Sequence, residues 1–281
     1  MFKCQCCYRD CYVLDCGETS EIVMATFTRF IALGDSMTEG MCDEIIDGKY
    51  RGWADRVADV LAKDSSNFSY VNLAIRGKLL HQVIDDQIPA ATFFITGPET
   101  LVSFHAGAND VLRPSYQAEV AFAKYEKGVA DLAKTGATII VFTVVDRVEG
   151  NGKTAQLWHE RFSSFNVNVR NVAKKYGATI IEADDAKWLA DLRFLAVDRL
   201  HLNPDGHWRL SQAVLEKLGK DFDPAWKIPL PPAEKKSWLK ANSEKTFWII
   251  TFVLPWIWRR IRGKSSGDGR SAKYEVPISW K

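Results

Sequence analysis

What this chain lacks narrows its class. The apolar stretch at residues 246–258, TFWIITFVLPWIW, would span about 20 Å as a helix against roughly 30 Å of bilayer hydrocarbon. Pro255 interrupts it, so a full membrane crossing is not expected. No internal repeat is present, which excludes solenoids and propellers. The N-terminus has no basic region followed by a 7–15-residue apolar stretch, so no secretory signal is read and a cytoplasmic protein is expected. Five of the six cysteines crowd into the first 16 residues, and the sixth is Cys42. They lack the paired Cys-x2-Cys knuckles of common zinc sites and have no nearby histidine. Neither a metal nor a cofactor is expected. Residues 1–23 read as a Cys-rich, unstructured extension, with Met24 as the natural start.

Net charge is nearly absent as well, at +2 over 281 residues, but it is unevenly placed. Residues 224–281 carry 12 Lys and Arg against 4 Asp and Glu, while the preceding residues are acidic on balance. A basic arm therefore follows a domain of about 200 residues. The hydrophobic fraction of 47 % suffices for a globular core within that domain.

Five short runs with buried-strand composition occupy residues 30–33, 70–75, 100–105, 138–145 and 179–182. Helical stripes alternate with them. Trp53, Val57, Val60 and Leu61 form one; Phe162, Phe165, Val169, Val172, Ala173 and Tyr176 form another, closed by Gly177. Residues 117–135 and a last helix from Pro204-Asp205 to Gly219 complete the alternation. Apolar strands alternating with helices predict a parallel sheet covered on both faces. Ligands in such sheets bind beyond the carboxyl ends of the strands.

The residues at those ends carry chemistry. Gly34-Asp35-Ser36-Met37-Thr38-Glu39-Gly40 presents Ser36 after the first run, and the loop after the second ends in Gly77. Gly107-Ala108-Asn109-Asp110 places an amide after the third, and Asp198-Arg199-Leu200-His201 supplies a carboxylate and an imidazole. A serine hydroxyl becomes a nucleophile when histidine takes its proton, and a carboxylate on the far ring nitrogen orients that base. Backbone N–H groups and an amide can hold the resulting oxyanion. Asp35 and Asp110 read as turn and network formers, Arg76 as an exposed loop arginine, and His105 as a buried, hydrogen-bonded histidine.

Ser36, Gly77, Asn109 and His201, in this order and each in its local motif, resemble the four blocks of the bacterial SGNH (GDSL-type) hydrolases. The segment Tyr50-Arg51-Gly52-Trp53 is similar to that family too. The resemblance implies a flavodoxin-like three-layer α/β/α sandwich over 24–223, with a five-stranded parallel sheet of order 2-1-3-4-5. It implies Ser36 as nucleophile, His201 as base, Asp198 as its partner, and Ser36, Gly77 and Asn109 as oxyanion donors. The expected activity is serine ester hydrolysis of a small-molecule or lipid ester. Two alternatives share the fold: a carbohydrate O-deacetylase using the same residues, its pocket shaped by the loop from Asp146 to Trp158, and a non-catalytic membrane-docked interaction protein.

In the arm, Gly263-Lys264-Ser265-Ser266-Gly267 spells Gly-x-Ser-x-Gly but follows an Arg-rich stretch where a nucleophile elbow needs a strand. It reads as a flexible basic tail. Three tryptophans beside Arg259, Arg260 and Arg262 suit peripheral membrane contact through Thr246 to Arg262. Packing of that segment on the catalytic domain or on a second subunit is the other reading. No nucleic-acid partner is expected, because no recognisable basic motif is present.

Overall fold

The computed structural model describes residues 26–146, 152–183, 187–235 and 237–281. The extension at 1–23 lies outside them. Five strands follow the apolar runs: β1 Arg29–Gly34, β2 Ser69–Asn72, β3 Thr100–His105, β4 Thr138–Phe142 and β5 Thr179–Ile181. They pair in parallel, β1 between β2 and β3, then β4 and β5 outward. That is the expected 2-1-3-4-5 order.

A sixth strand, β6 Tyr274–Ser279, extends the sheet by pairing antiparallel with β2. The sequence gives it little signal. YEVPIS has no apolar run, and Pro277 suits only an edge position, where an unpaired N–H is not needed. β2 and β4 stop at Asn72 and Phe142, short of the runs at 70–75 and 138–145. Beyond those ends the chain still bonds its neighbours: the Leu73 and Ile75 N–H groups donate to the Ala32 and Gly34 carbonyls at 2.9 and 3.3 Å, and the Thr143 N–H donates to that of Ile181 at 3.1 Å.

Helices cover both faces: α1 Gly52–Leu61, α2 Ala118–Ala133, α3 Lys153–Tyr176 and α4 Pro204–Lys217. A shorter helical run at 80–92 lies between β2 and β3. Alternation along β1 explains why its run is apolar throughout. Ile31 and Leu33 pack with Tyr125, Phe165 and Val169 on one side, and Phe30 and Ala32 pack with Trp53, Val57 and Val214 on the other. Each fully buried side chain of this size contributes about 1.5–3 kcal/mol. Asn203 caps α4, accepting from the Gly206 N–H at 3.0 Å, and Pro204 occupies the first turn, where its missing N–H costs nothing.

The arm ends in a further helix, α5, over 238–261. It continues through Pro255. The turn at Ile249–Val253 widens to π spacing just before that residue, which accommodates the N–H that proline lacks. Among the described residues no helix is long and apolar enough to cross a membrane.

Candidate active site

Ser36 opens a single helical turn, Ser36–Glu39, directly after β1. Asp35 holds the turn by accepting the Met37 N–H at 3.1 Å. Behind it the buried Gln87 clamps Gly34: its Oε1 accepts the Gly34 N–H at 2.8 Å, and its Nε2 donates to the Gly34 carbonyl at 2.9 Å. Just beyond the turn, Gly40 and Gly52 cross backbone to backbone. A Cβ on Gly40 would lie 2.6 Å from the Gly52 Cα, and both glycines have positive φ. That contact gives the Tyr50-Arg51-Gly52-Trp53 segment a physical role beside the serine.

The opposite partner comes from the loop before α4. Asp198 Oδ1 accepts the N–H groups of Leu200 and His201 at 3.0 and 3.1 Å, leaving Oδ2 to face His201 Nδ1 at 2.6 Å. His201 Nε2 lies 2.9 Å from Ser36 Oγ. Burial acts to raise the Asp198 pKa, but the bond from the His201 ring, its charge and the two backbone N–H groups outweigh that effect, so the carboxyl sits below its usual range. An ionised Asp198 assigns the proton to Nδ1 and leaves Nε2 to accept from the serine hydroxyl. Arg199 has φ 56°, a strained left-handed conformation. Its guanidinium stacks on Trp248 of α5, 5.3 Å from the ring centre, and the Trp248 indole N–H donates to the Asp198 carbonyl at 2.7 Å.

The expected oxyanion donors are placed less simply. The Asn109 amide donates to Asp35 Oδ2 at 3.0 Å and to the Lys78 carbonyl at 3.1 Å. Both neighbours are acceptors, which sets the amide's orientation and occupies both its hydrogens. Gly77, with φ 74°, meets the arm: its carbonyl accepts from Ser265 Oγ at 3.2 Å. A Cβ added to Gly267 would lie 2.0 Å from the Arg76 carbonyl. The segment read as a flexible tail is thus packed on the Gly77 loop. Arg76 is not an exposed loop arginine either. It forms an ion pair with Glu39, their side chains only 11 % and 15 % exposed, and Glu39 also accepts the Arg76 N–H.

Burial pushes Asp35 up to about 6, against the lowering effect of its Met37 bond. Asp110 accepts the Leu80 N–H at 2.7 Å, a network role. Cys42 Sγ lies 3.9 Å from Asp198 Oδ2, and burial together with the Asp198 charge lifts its thiol to about 11. Cys42, Asp198 and His201 could in principle share a metal ion. The carboxylate and ring atoms, however, already bond each other, and His201 Nε2 faces Ser36 Oγ. A cavity of about 380 Å³, walled in part by Tyr274 and Trp280, lies elsewhere, and no site residue lines it.

The sequence profile of the GDSL-like lipase/acylhydrolase family matches residues 32–209. The chain belongs to this family. Its chemistry is therefore ester hydrolysis in the broad sense. No curated protein matches. Among solved structures, an acetylxylan esterase from Geobacillus stearothermophilus is 19 % identical, with a TM-score of 0.58 over 70 % of this chain and 96 % of that one. An alpha/beta hydrolase enzyme from the metagenome of Lake Arreo, Spain, is 18 % identical, with a TM-score of 0.57 over 69 % and 96 %. At these identities the likeness is one of fold.

Two residues that help build this site carry no local signal. Gln87 is 53 positions from Gly34. His207 is buried beneath the site and joins two segments: its Nδ1 accepts the Trp53 N–H at 3.2 Å, and its Nε2 donates to the Met41 carbonyl at 3.1 Å. Only its position at the start of a helix, six residues after His201, sets it apart in the sequence.

Proposed function

We propose that the chain is a serine ester hydrolase that works through an acyl-enzyme. The observation that carries this reading is the unbroken line from Ser36 Oγ to His201 Nε2 at 2.9 Å and from His201 Nδ1 to Asp198 Oδ2 at 2.6 Å. His201 takes the serine proton as Oγ bonds to the ester carbonyl carbon. The proton then passes to the departing alkoxide as the C–O bond breaks. Water enters, gives a proton to His201, attacks the acyl carbon, and the serine regains its proton as the carboxylic acid leaves.

The tetrahedral oxyanion is held by the Ser36 and Gly77 N–H groups. A third bond, from Asn109, requires it to release Asp35 or the Lys78 carbonyl. Loss of one such donor typically lowers the rate by about 10²–10³, so the state of Asn109 matters to the rate.

Fluorophosphonate labelling tests the nucleophile and separates an enzyme from a scaffold. Wild type is expected to label and to hydrolyse p-nitrophenyl acetate; Ser36→Ala is expected to do neither. Asp198→Asn should keep the fold by circular dichroism yet lose up to roughly 10⁴ in kcat, as wrong-tautomer variants do. Full activity in Ser36→Ala would overturn the assignment. A panel of acyl esters from about C2 to C16, together with acetylated sugars, then assigns the acyl group.

A further inference from the structure

The arm helix α5 has two faces. One turns to the catalytic loop through Trp248. The other presents Phe247, Ile250, Leu254, Ile257, Trp258 and Ile261 to solvent, each 40–72 % exposed. They recur along the exposed side of the helix, on both sides of its widened turn. A contiguous apolar stripe of this size on a helix surface marks an interaction site.

Charge says what covers it. Residues 238–264 hold six basic residues and one acidic residue, Glu244. Arg259 and Arg262 stand beside the stripe, the latter 4.5 Å over the Trp258 ring. A second copy of this face would bring like charges together on the same contact. Nucleic acid would take the charge but leave the apolar stripe in water. An anionic lipid surface satisfies both, with apolar side chains below the headgroups, tryptophan among them, and arginine at the phosphates.

We infer that α5 docks this protein on anionic lipid bilayers by its Phe247-to-Ile261 face, lying in the plane of the interface without spanning it. The Trp248 bond to Asp198 then holds the catalytic loop close to that surface. The docking does not depend on the hydrolase reading and can be measured on Ser36→Ala as well as on wild type.

The test is co-sedimentation of the full chain with vesicles. Expected is binding to phosphatidylcholine vesicles containing phosphatidylglycerol, little binding to phosphatidylcholine alone, and weakening at high salt, since exposed charges are screened there. Ile250→Glu/Leu254→Glu should partition at least ~10-fold less, because charge on an interfacial apolar face opposes its insertion. The same variant should hydrolyse soluble p-nitrophenyl acetate at the wild-type rate, which also reports an intact fold. If that variant fails to fold, Arg259→Gln/Arg262→Gln serves in its place and should lose the preference for anionic vesicles. Wild type that ignores anionic vesicles, variants that bind as well as wild type, or a dimer in size-exclusion chromatography that leaves vesicles unbound would each overturn the inference.

Discussion

His207 shows how one buried side chain can stabilise a site without touching its chemistry. It has no exposed surface, and its two ring nitrogens are spent on Trp53 and Met41, one accepting and one donating. That arrangement needs the neutral ring, and burial pushes its pKa down to about 4 from 6.5. A depressed histidine binds fewer protons folded than unfolded between those values, so its contribution is present above pH 6.5 and is lost as pH falls toward 4. The span corresponds to about 3 kcal/mol. Asp35 and Asp55, both lifted by burial to about 6, act in the opposite sense between about 4 and 6. The clean readout is therefore a difference: in urea unfolding, the stability gap between wild type and His207→Gln should shrink as pH is lowered from 7 to 4.5. A constant gap would refute the assignment.

At the scale of elements, strand ends are held by side-chain amides. Gln87 clamps Gly34 at the end of β1, and Asn166 of α3 does the same to Val144 beyond β4, its Oδ1 accepting the N–H at 2.7 Å and its Nδ2 donating to the carbonyl at 2.8 Å. Each returns a helix to the rim just where the ladder ends. The arm helix acts on the loop of Asp198 and His201 in a different way. Trp248 bonds the carbonyl of Asp198 and supports the left-handed Arg199. Trp248→Phe keeps the ring under Arg199 but removes the donor. A neutral hydrogen bond is worth about 1 kcal/mol, so kcat is expected to fall about five-fold with KM unchanged. Steady-state kinetics on a soluble ester separate this positioning effect from a loss of substrate binding, which would raise KM instead.

At the scale of the whole molecule, the C-terminus closes the structure. Lys273, just before β6, is buried against Asp55 at 2.7 Å and donates to the carbonyls of Tyr50 and Arg51 at 2.7 and 2.9 Å. Asp55 accepts the Tyr70 hydroxyl, and the Asn72 amide reaches both that hydroxyl and the Thr38 carbonyl in the turn of Ser36. One polar chain thus runs from the arm to the turn of Ser36. Lys273→Met leaves Asp55 buried without its cation, which costs about 3–5 kcal/mol and should appear as a large drop in the urea midpoint. Lys273→Met/Asp55→Leu should recover part of the loss, because a removed pair is less costly than a broken one. Tyr274 and Trp280 pack on Tyr70, with ring centres 5.6 and 4.9 Å away, so β6 also covers what would otherwise be an open sheet edge.

The sequence by itself determined whatever rests on neighbours in the chain. Apolar runs specify strands, 3.6-residue stripes specify helices, and the pairs Asp35-Ser36 and Asp198-x-x-His201 are short enough to read directly. Tertiary structure decided the rest, because those interactions join residues that no local pattern links. The Asn109 amide is taken by Asp35 and Lys78, Gln87 grips a glycine 53 positions away, and β6 forms only because β2 offers it an edge. The arm shows the division most plainly. Its tryptophans and arginines are evident in the sequence, but which face meets Asp198 and which meets solvent depends on how the helix lies against the loop of Asp198 through Trp248.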